Sequence, residues 1–309
     1  MLPSRKMDSP SRDSTRLSYG LTLSILVFSL LIYVFYHEPG PYDAGQMYGE
    51  ETLSTIALLL FRLGCAYLVV HCTVAWMVRN PIPGIMVPLF RVDREMRMHH
   101  SEGFERLVPF SSWTMLIFGF AMLWNGLAGL WYLIIGAPST LFLHLGTALF
   151  ATAYSSAALT SVIVRYVILP SKIKKGEDIR PMFLPHEQVM HNWAFIFLSC
   201  ELVFGTLSIR LPMLVLGLTY GALYLVFAEL WARFGGGYYV YDFIDPRPKE
   251  APVYLIGLML ICSVFFLVGF GISQAQQFNS FLAFALVAAL IGLCTCFGPP
   301  AGYEPRKAS

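Results

Sequence analysis

Charge is what this sequence has least of. Only 13% of its 309 residues are Asp, Glu, Lys or Arg, against about a quarter in soluble globular domains. With 56% of residues hydrophobic, that scarcity excludes an ordinary soluble fold and a nucleic-acid-binding surface. It predicts an integral membrane protein whose first partner is the lipid bilayer. Cysteine is scarce too: Cys65, Cys72, Cys200, Cys262, Cys294 and Cys296 all fall within or at the ends of apolar runs. Thiols there behave as small hydrophobes, so no disulfides are expected, and Cys294 and Cys296 read as packing residues rather than acylation sites. The sequence has no HExxH, no His-box repeats and no Walker or GxGxxG loop, which argues against a metal or nucleotide cofactor. It has no N-x-[ST] acceptor either, so glycosylation marks no luminal loop.

What is present is length of apolar chain. Runs occupy about 18–36, 53–77, 110–135, 140–169, 189–209, 211–232, 253–273 and 280–298, each near the ~20 residues that cross a ~30 Å hydrocarbon core. The first is too long for a cleavable signal and lacks a small-residue cleavage site. The expected architecture is all-α, a polytopic transmembrane helical bundle of eight spans over 18–298. It is flanked by a polar tail at 1–17, expected to be disordered, and a short tail at 299–309.

Lys and Arg set the expected orientation. The first tail carries Arg5, Lys6, Arg12 and Arg16, whereas loop 37–52 carries none. Loop 78–109 has Arg79, Arg91, Arg94, Arg97 and Arg106; loop 136–139 has none. Loop 170–188 has Lys172, Lys174, Lys175 and Arg180, and the turn before 211 only Arg210. Loop 233–252 has Arg233, Arg247 and Lys249, loop 274–279 none, and the last tail Arg306 and Lys307. The unbroken alternation predicts cytosolic termini in an endomembrane or the plasma membrane. Loop 78–109 is basic and interrupted by Pro81, Pro83 and Pro88; it is read either as lying along the anionic leaflet or as solvated. Gly217-x-x-x-Gly221 has the spacing that lets helices approach closely, a spacing too common to require a dimer.

Ionisable groups inside a bilayer cost roughly 2.5–3.5 kcal/mol each on insertion scales and so need a reason. Those within runs are Arg62, His71, His144, Arg165, His191, Glu201 and Glu229. Arg62 and Glu201 both fall near mid-depth, which predicts a compensating ion pair between the second and fifth helices. Arg165 and Glu229, each about a turn from a cytosolic helix end, are expected to pair or to snorkel to the interface. His71 and His144 read as satisfied structural histidines, and the exposed pair His99–His100 lacks further ligands for a metal. A solute transporter built on Arg62 and Glu201 would show internal pseudo-symmetry, and residues 18–136 do not repeat in 140–298.

His191 differs because of where it sits. The fifth run enters from the basic side through His186-Glu187-Gln188-Val189-Met190-His191, which puts His191 about one turn below the surface. The third run enters from the same side through Pro109-Phe110-Ser111-Ser112-Trp113-Thr114. Ser111 and Thr114, at i,i+3 on one helix face, therefore share its depth. A hydroxyl with a histidine base is the minimum for nucleophilic catalysis, and at the leaflet boundary it would meet a lipid ester bond.

These residues resemble a known family. His191 followed by Glu201 in an apolar helix is similar to the second His and following acid of N-H-x-x-H-T…(D/E), the pattern of the androgen-induced, androgen-dependent multipass lipid hydrolases and the related rolling stone proteins. Gly236-Gly237-Tyr238-Tyr239-Val240-Tyr241-Asp242-Phe243 is similar to the family's T-G-x-W-V-Y-P-F. Phe110-Ser111-Ser112-Trp113 is similar to the L-T-N-W of the rolling stone branch. The likeness covers roughly residues 108–273. It implies an intramembrane hydrolase of fatty acid esters of hydroxy fatty acids, with Thr as nucleophile and His as base and no cofactor. Carried over, His191 is the base; the nucleophile is Ser111 by the L-T-N-W register or Thr114 by counting back from Gly126. Gln188, Tyr239 and Asp242 depart from the family's first His, its Trp and its Pro. Rolling stone relatives imply the rival reading, a non-catalytic multipass protein in signalling or fusion.

Overall fold

The computed structural model describes residues 5–6, 13–36, 47–49, 52–205, 207, 209–300 and 303. Among them, eight helical rods follow the eight apolar runs. They are α1 Thr15–Tyr36, α2 Thr52–His71 with a π-helical continuation to Val78, and α3 Phe110–Ile134. Next come α4, Thr140–Ile163 extended through Val164–Ile168 to Lys175, and α5, Pro185–Gln188 through Val189–Trp193 to Phe204. The last are α6 Leu214–Phe234, α7 Ala251–Phe278 and α8 Ser280–Cys294.

Six of these, α1 to α4, α6 and α7, are long and apolar enough to cross a membrane. The other two expected spans meet that standard less well. α8 has only 15 residues, and α5 carries Glu187, His191, Asn192 and Glu201 along its length.

Local chemistry sets the helix ends. Ser139 caps α4 by accepting from the Phe142 amide, and Gly176, at φ 72°, ends its extension in the left-handed conformation that suits glycine. Asn279 separates α7 from α8 and caps the latter through Leu282 N–H at 3.1 Å. Pro109 precedes α3 and leaves its first turn without a side-chain cap.

Backbone hydrogen bonds have no competitor inside hydrocarbon, so helices are the form the apolar runs take. Packing is then won by small residues. A Cβ at Gly119 would lie 2.6 Å from Val69 Cγ1, and one at Gly126 would lie 2.8 Å from Leu63 Cδ2, so α2 and α3 touch through glycine. α4 is the most deeply embedded helix; its Ala151, Ala153, Ala157 and Ala158 are fully buried beside Phe195 and Leu198 of α5. Large exposed side chains such as Leu23, Phe35, Leu60, Val253 and Phe281 form the outward apolar belt. Gly217, by contrast with a dimer face, packs inside the chain: its Cβ would meet Ser155 Oγ at 2.5 Å and Cys262 Sγ at 3.4 Å. All six cysteines are free.

Loop 78–109 is not a free solvated segment. It folds into short antiparallel pairs: β2 Gly84–Met86 with β5 His99–Ser101, and β3 Leu89–Phe90 with β4 Glu95–Met96. β4 also pairs with β1 Arg5–Lys6, and β3 with β6 Tyr238–Tyr239. The first tail is therefore partly ordered: Arg5–Lys6 joins the sheet, and Ser14 N–H donates to Arg247 O at 2.9 Å. Arg106 is buried and knits the loop, donating to the carbonyls of Met77, Ser101 and Ile82. Tyr303, from the last tail, accepts from Ile179 N–H and donates to Glu177 O. Among the described residues, loops 78–109, 170–188 and 233–252 thus gather at one end of the bundle.

Candidate functional site

At that end a cavity of about 720 Å³ opens between the loops and runs inward among α4, α6 and α7. Lys172, Lys175 and Arg106 contribute charged side chains to its lining, and Leu159, Ile163, Leu218, Leu225, Leu255 and Met259 contribute apolar ones. A site of this size with apolar walls and few polar groups is what a small lipid-like ligand needs.

The polar groups come from three elements. α5 supplies His186, Glu187 and His191; α3 supplies Ser111 and Ser112; the loop after α6 supplies Tyr241 and Asp242. Within α5 the residues Val189–Trp193 form a π-turn, a widening that often marks function. It draws the His191 carbonyl out of the helical ladder to accept the Ser161 hydroxyl of α4 at 2.5 Å. His191 is only 4% exposed. Its Nε2 lies 3.4 Å from Glu187 Oε2, one turn earlier, while its Nδ1 is buried with no partner. The imidazole is oriented on one side and free on the other.

The two nucleophile candidates part company. Ser111 lines the cavity, as do Ser112 and His191. Thr114 is fully buried, outside the lining, with its hydroxyl 3.0 Å from that of Thr160. Ser112 is occupied structurally, donating to Arg106 O at 2.8 Å and reaching Met190 Sδ at 3.5 Å. That last contact shows that α3 and α5 adjoin at the level of His191.

Tyr241 was not singled out as a chemical group, although the Gly-Gly-Tyr-Tyr-Val-Tyr-Asp-Phe stretch held it. Gly237, at φ 78°, turns the chain so that β6 and Tyr241 fold back over α3. Tyr241 lines the cavity together with Phe110 and Ser111 and packs in the same cluster as Phe110 and Trp113. Burial pushes its phenol up to about 12. It stays a neutral donor throughout the physiological range. Glu187 was missed as well, though its i,i+4 spacing to His191 was the available signal.

Arg62 and Glu201 do not belong to this cavity. They form a fully buried ion pair deeper in the bundle, with Arg62 Nε 3.0 Å from Glu201 Oε1 and Nη2 on the same oxygen. Arg62 Nη2 also donates to Met47 O at 3.0 Å, and the guanidinium lies over the Tyr48 ring. The expected pairing of Arg165 with Glu229 is corrected. Arg165 donates to the carbonyls of Gly292 and Thr295 at the end of α8. Glu229 accepts from Tyr19, Tyr239 and Arg233.

His71 packs on Tyr67 and Trp76, and His144 meets the Tyr33 hydroxyl. His99 bonds Glu105 at 2.7 Å, which Tyr238 also reaches. Among the described residues no group of three or more His, Cys, Asp or Glu is disposed to hold a metal. Comparison with protein-family models, with curated proteins and with solved structures gives no match for this chain.

Proposed function

We propose that this multipass membrane protein hydrolyses lipid esters at the basic end of its bundle, with Ser111 as nucleophile and His191 as base. The single observation that carries the reading is one apolar cavity lined by Ser111, His191 and Glu187, in which the imidazole has one nitrogen toward a carboxylate and the other unpartnered. That is the nucleophile–base–orienter order that activated hydroxyls need. The resemblance to the androgen-induced lipid hydrolases points the same way, and fatty acid esters of hydroxy fatty acids are the substrate class it implies. With the basic end in the cytosol and all eight helices spanning an endomembrane or the plasma membrane, the ester enters from the inner leaflet. Its acyl chain occupies the apolar depth between α4, α6 and α7.

The chemistry runs through this chain's own groups. Ser111 Oγ attacks the ester carbonyl carbon, its proton passes to His191 Nδ1, and the carbonyl π electrons move to oxygen. Collapse breaks the carbon–alkoxy bond, and the departing alcohol takes the proton from His191. Water then attacks the Ser111 acyl ester with His191 again as base; the bond from the acyl carbon to Ser111 Oγ breaks, Oγ regains the proton from His191, and a carboxylic acid is released. Glu187 faces Nε2 and favours the tautomer that leaves Nδ1 free to accept.

Purified protein in nanodiscs, assayed on hydroxy-fatty-acid esters, tests this. Ser111→Ala and His191→Ala should each lower kcat by about 10³-fold or more, the scale seen when one member of a catalytic unit is removed. Thr114→Ala should keep turnover. A fluorophosphonate probe should label wild type and not Ser111→Ala. Unchanged turnover in His191→Ala, or labelling that survives Ser111→Ala, ends the proposal.

A further inference from the structure

A second cavity, of about 380 Å³, lies along the seam of α1 and α6 and takes no part in the ester chemistry above. Leu23, Val226, Leu230 and Phe234 line its apolar side, and all four are exposed. Both helices are long and apolar enough to cross a membrane, so apolar side chains exposed on them face hydrocarbon. The polar end is built from Tyr19, Glu229, Arg233 and Tyr239. Ser18 Oγ, beside Tyr19, donates to Pro246 O at 3.0 Å, which holds the start of α1 against the loop that follows α6. Arg233 is the last residue but one of α6 and so stands at headgroup level. Val226, seven residues earlier, is about 10 Å further in along the helix.

Charge at the polar end does not cancel. Arg233 Nε donates to Glu229 Oε1, and its Nη2 donates to the Tyr19 hydroxyl at 2.7 Å. Both Nη1 donors are left without a partner among the described residues, on a side chain that is 39% exposed. Glu229 also accepts from Tyr19 at 2.7 Å and from Tyr239 at 2.5 Å, and Arg91 Nε stands 3.8 Å from its Oε1. Two guanidiniums therefore share one carboxylate, and one positive charge is left over. Arg247, over the Tyr239 ring, is balanced by Asp245 and adds none.

We infer that this groove binds one anionic phospholipid of the surrounding leaflet, with its phosphate on Arg233 and an acyl chain along Leu230 and Val226. A guanidinium fork matches a pair of phosphate oxygens, and basic pockets between spanning helices take anionic headgroups. Glu229 and Tyr19 hold the fork on one side and leave the other turned outward. The apolar side selects a lipid over a soluble phosphate, because each methylene laid against it adds affinity. Leu225, Ile244 and Leu255 line this groove and the larger cavity alike, so the two spaces share a wall. The inference stands without the ester chemistry at Ser111.

The test titrates the full chain, in neutral detergent micelles, with dioleoyl phosphatidylglycerol, dioleoyl phosphatidylcholine or glycerol phosphate, and counts bound molecules by native mass spectrometry. Wild type should hold one phosphatidylglycerol about fivefold or more tighter than phosphatidylcholine, the change that one basic side chain supplies toward an anionic headgroup. Glycerol phosphate, which has the charge and no chain, should not bind at the same concentrations. Arg233→Gln should bring phosphatidylglycerol down to the affinity of phosphatidylcholine. Leu230→Trp fills the apolar side with every charge left in place, and it should weaken both lipids. Equal wild-type affinity for the two lipids, or glycerol phosphate bound as tightly as phosphatidylglycerol, overturns the inference. So does a preference for phosphatidylglycerol that survives in folded Arg233→Gln. Should Arg233→Gln not fold, Leu230→Trp decides alone, and unchanged lipid affinity there overturns the inference.

Discussion

Removing one partner of the Arg62–Glu201 pair is the sharpest perturbation the fold offers. Both side chains are at most 1% exposed, so neither charge has water to fall back on. In Glu201→Leu the guanidinium keeps, among the described residues, the Met47 carbonyl and the Tyr48 ring, 5.2 Å from Cζ. A buried pair broken on one side costs about 3–5 kcal/mol, most of it the uncompensated charge. That is a large share of the ~5–15 kcal/mol that keeps a protein folded. Arg62→Met alone should cost a similar amount, because it strands the carboxylate. The double variant Arg62→Met/Glu201→Leu should recover most of the loss, since replacing both partners with apolar groups of similar volume is often neutral. The assay is reversible unfolding in mixed micelles titrated with denaturing detergent, read as a double-mutant cycle. Turnover per folded molecule should not change in the double variant, because ten residues of helix put Glu201 about 15 Å along the axis from His191. Single variants costing under about 1 kcal/mol each, or a folded double variant that has lost activity, would refute the structural ion pair and revive the transporter reading.

Three further outcomes follow from the packing. Gly205 has an ordinary φ of −93°, yet a Cβ there would lie 2.5 Å from Glu201 Cδ. Gly205→Ala should therefore cost about 1–3 kcal/mol as overpacking does, and should cost far less in the Arg62→Met/Glu201→Leu background, measured by the same titration. Gly221 lines the cavity and a Cβ there meets nothing within 4 Å, whereas Gly217 abuts Ser155. Gly221→Leu should leave stability intact and shift preference toward shorter acyl chains, by about fourfold in kcat/KM per methylene at ~0.8 kcal/mol each, while Gly217→Leu should destabilise; rates on an ester series and melts check both. Asn192 donates to Gln188 Oε1 and Cys296 O, both at 2.8 Å, and accepts from Cys296 N–H at 3.0 Å. Asn192→Ala should cost about 2–3 kcal/mol by leaving backbone groups unpaired and raise hydrogen exchange selectively around 294–298.

The helices were legible because each apolar run is a single local signal, and a chain in lipid must satisfy its backbone within the run. Arg62 and Glu201 were legible for the complementary reason: a charge at mid-depth has few solutions, and the nearest opposite charge at that depth is one. The same logic failed for Arg165 and Glu229 because depth does not distinguish a charged partner from a neutral one. Arg165 found the carbonyls at the end of α8, and Glu229 found two tyrosines and its own i+4 arginine. Helix-end carbonyls and phenols carry no charge in the sequence, so they do not announce themselves. The strands of loop 78–109 were hidden because two- and three-residue strands have no period to read, and their partners lie at 5–6 and 238–239.

The candidate site divides along the same line. His191 stood out as a titratable group at a helix entrance, and its register with Ser111 could be counted. What the count could not supply was the wide turn at Val189–Trp193, which rotates His191 relative to an ideal helix, nor the fold-back at Gly237 that brings Tyr241 onto α3. Both are changes of a single backbone turn, and each shifts which side chains face the cavity. The proposal of Ser111 over Thr114 rests on packing of this kind. Spacing alone puts both on one face, but Thr160 of α4 takes the Thr114 hydroxyl, whereas Ser111 is in the lining that His191 shares. A site made where three elements meet is therefore readable from sequence up to the identity of its titratable groups, and its geometry belongs to the packing.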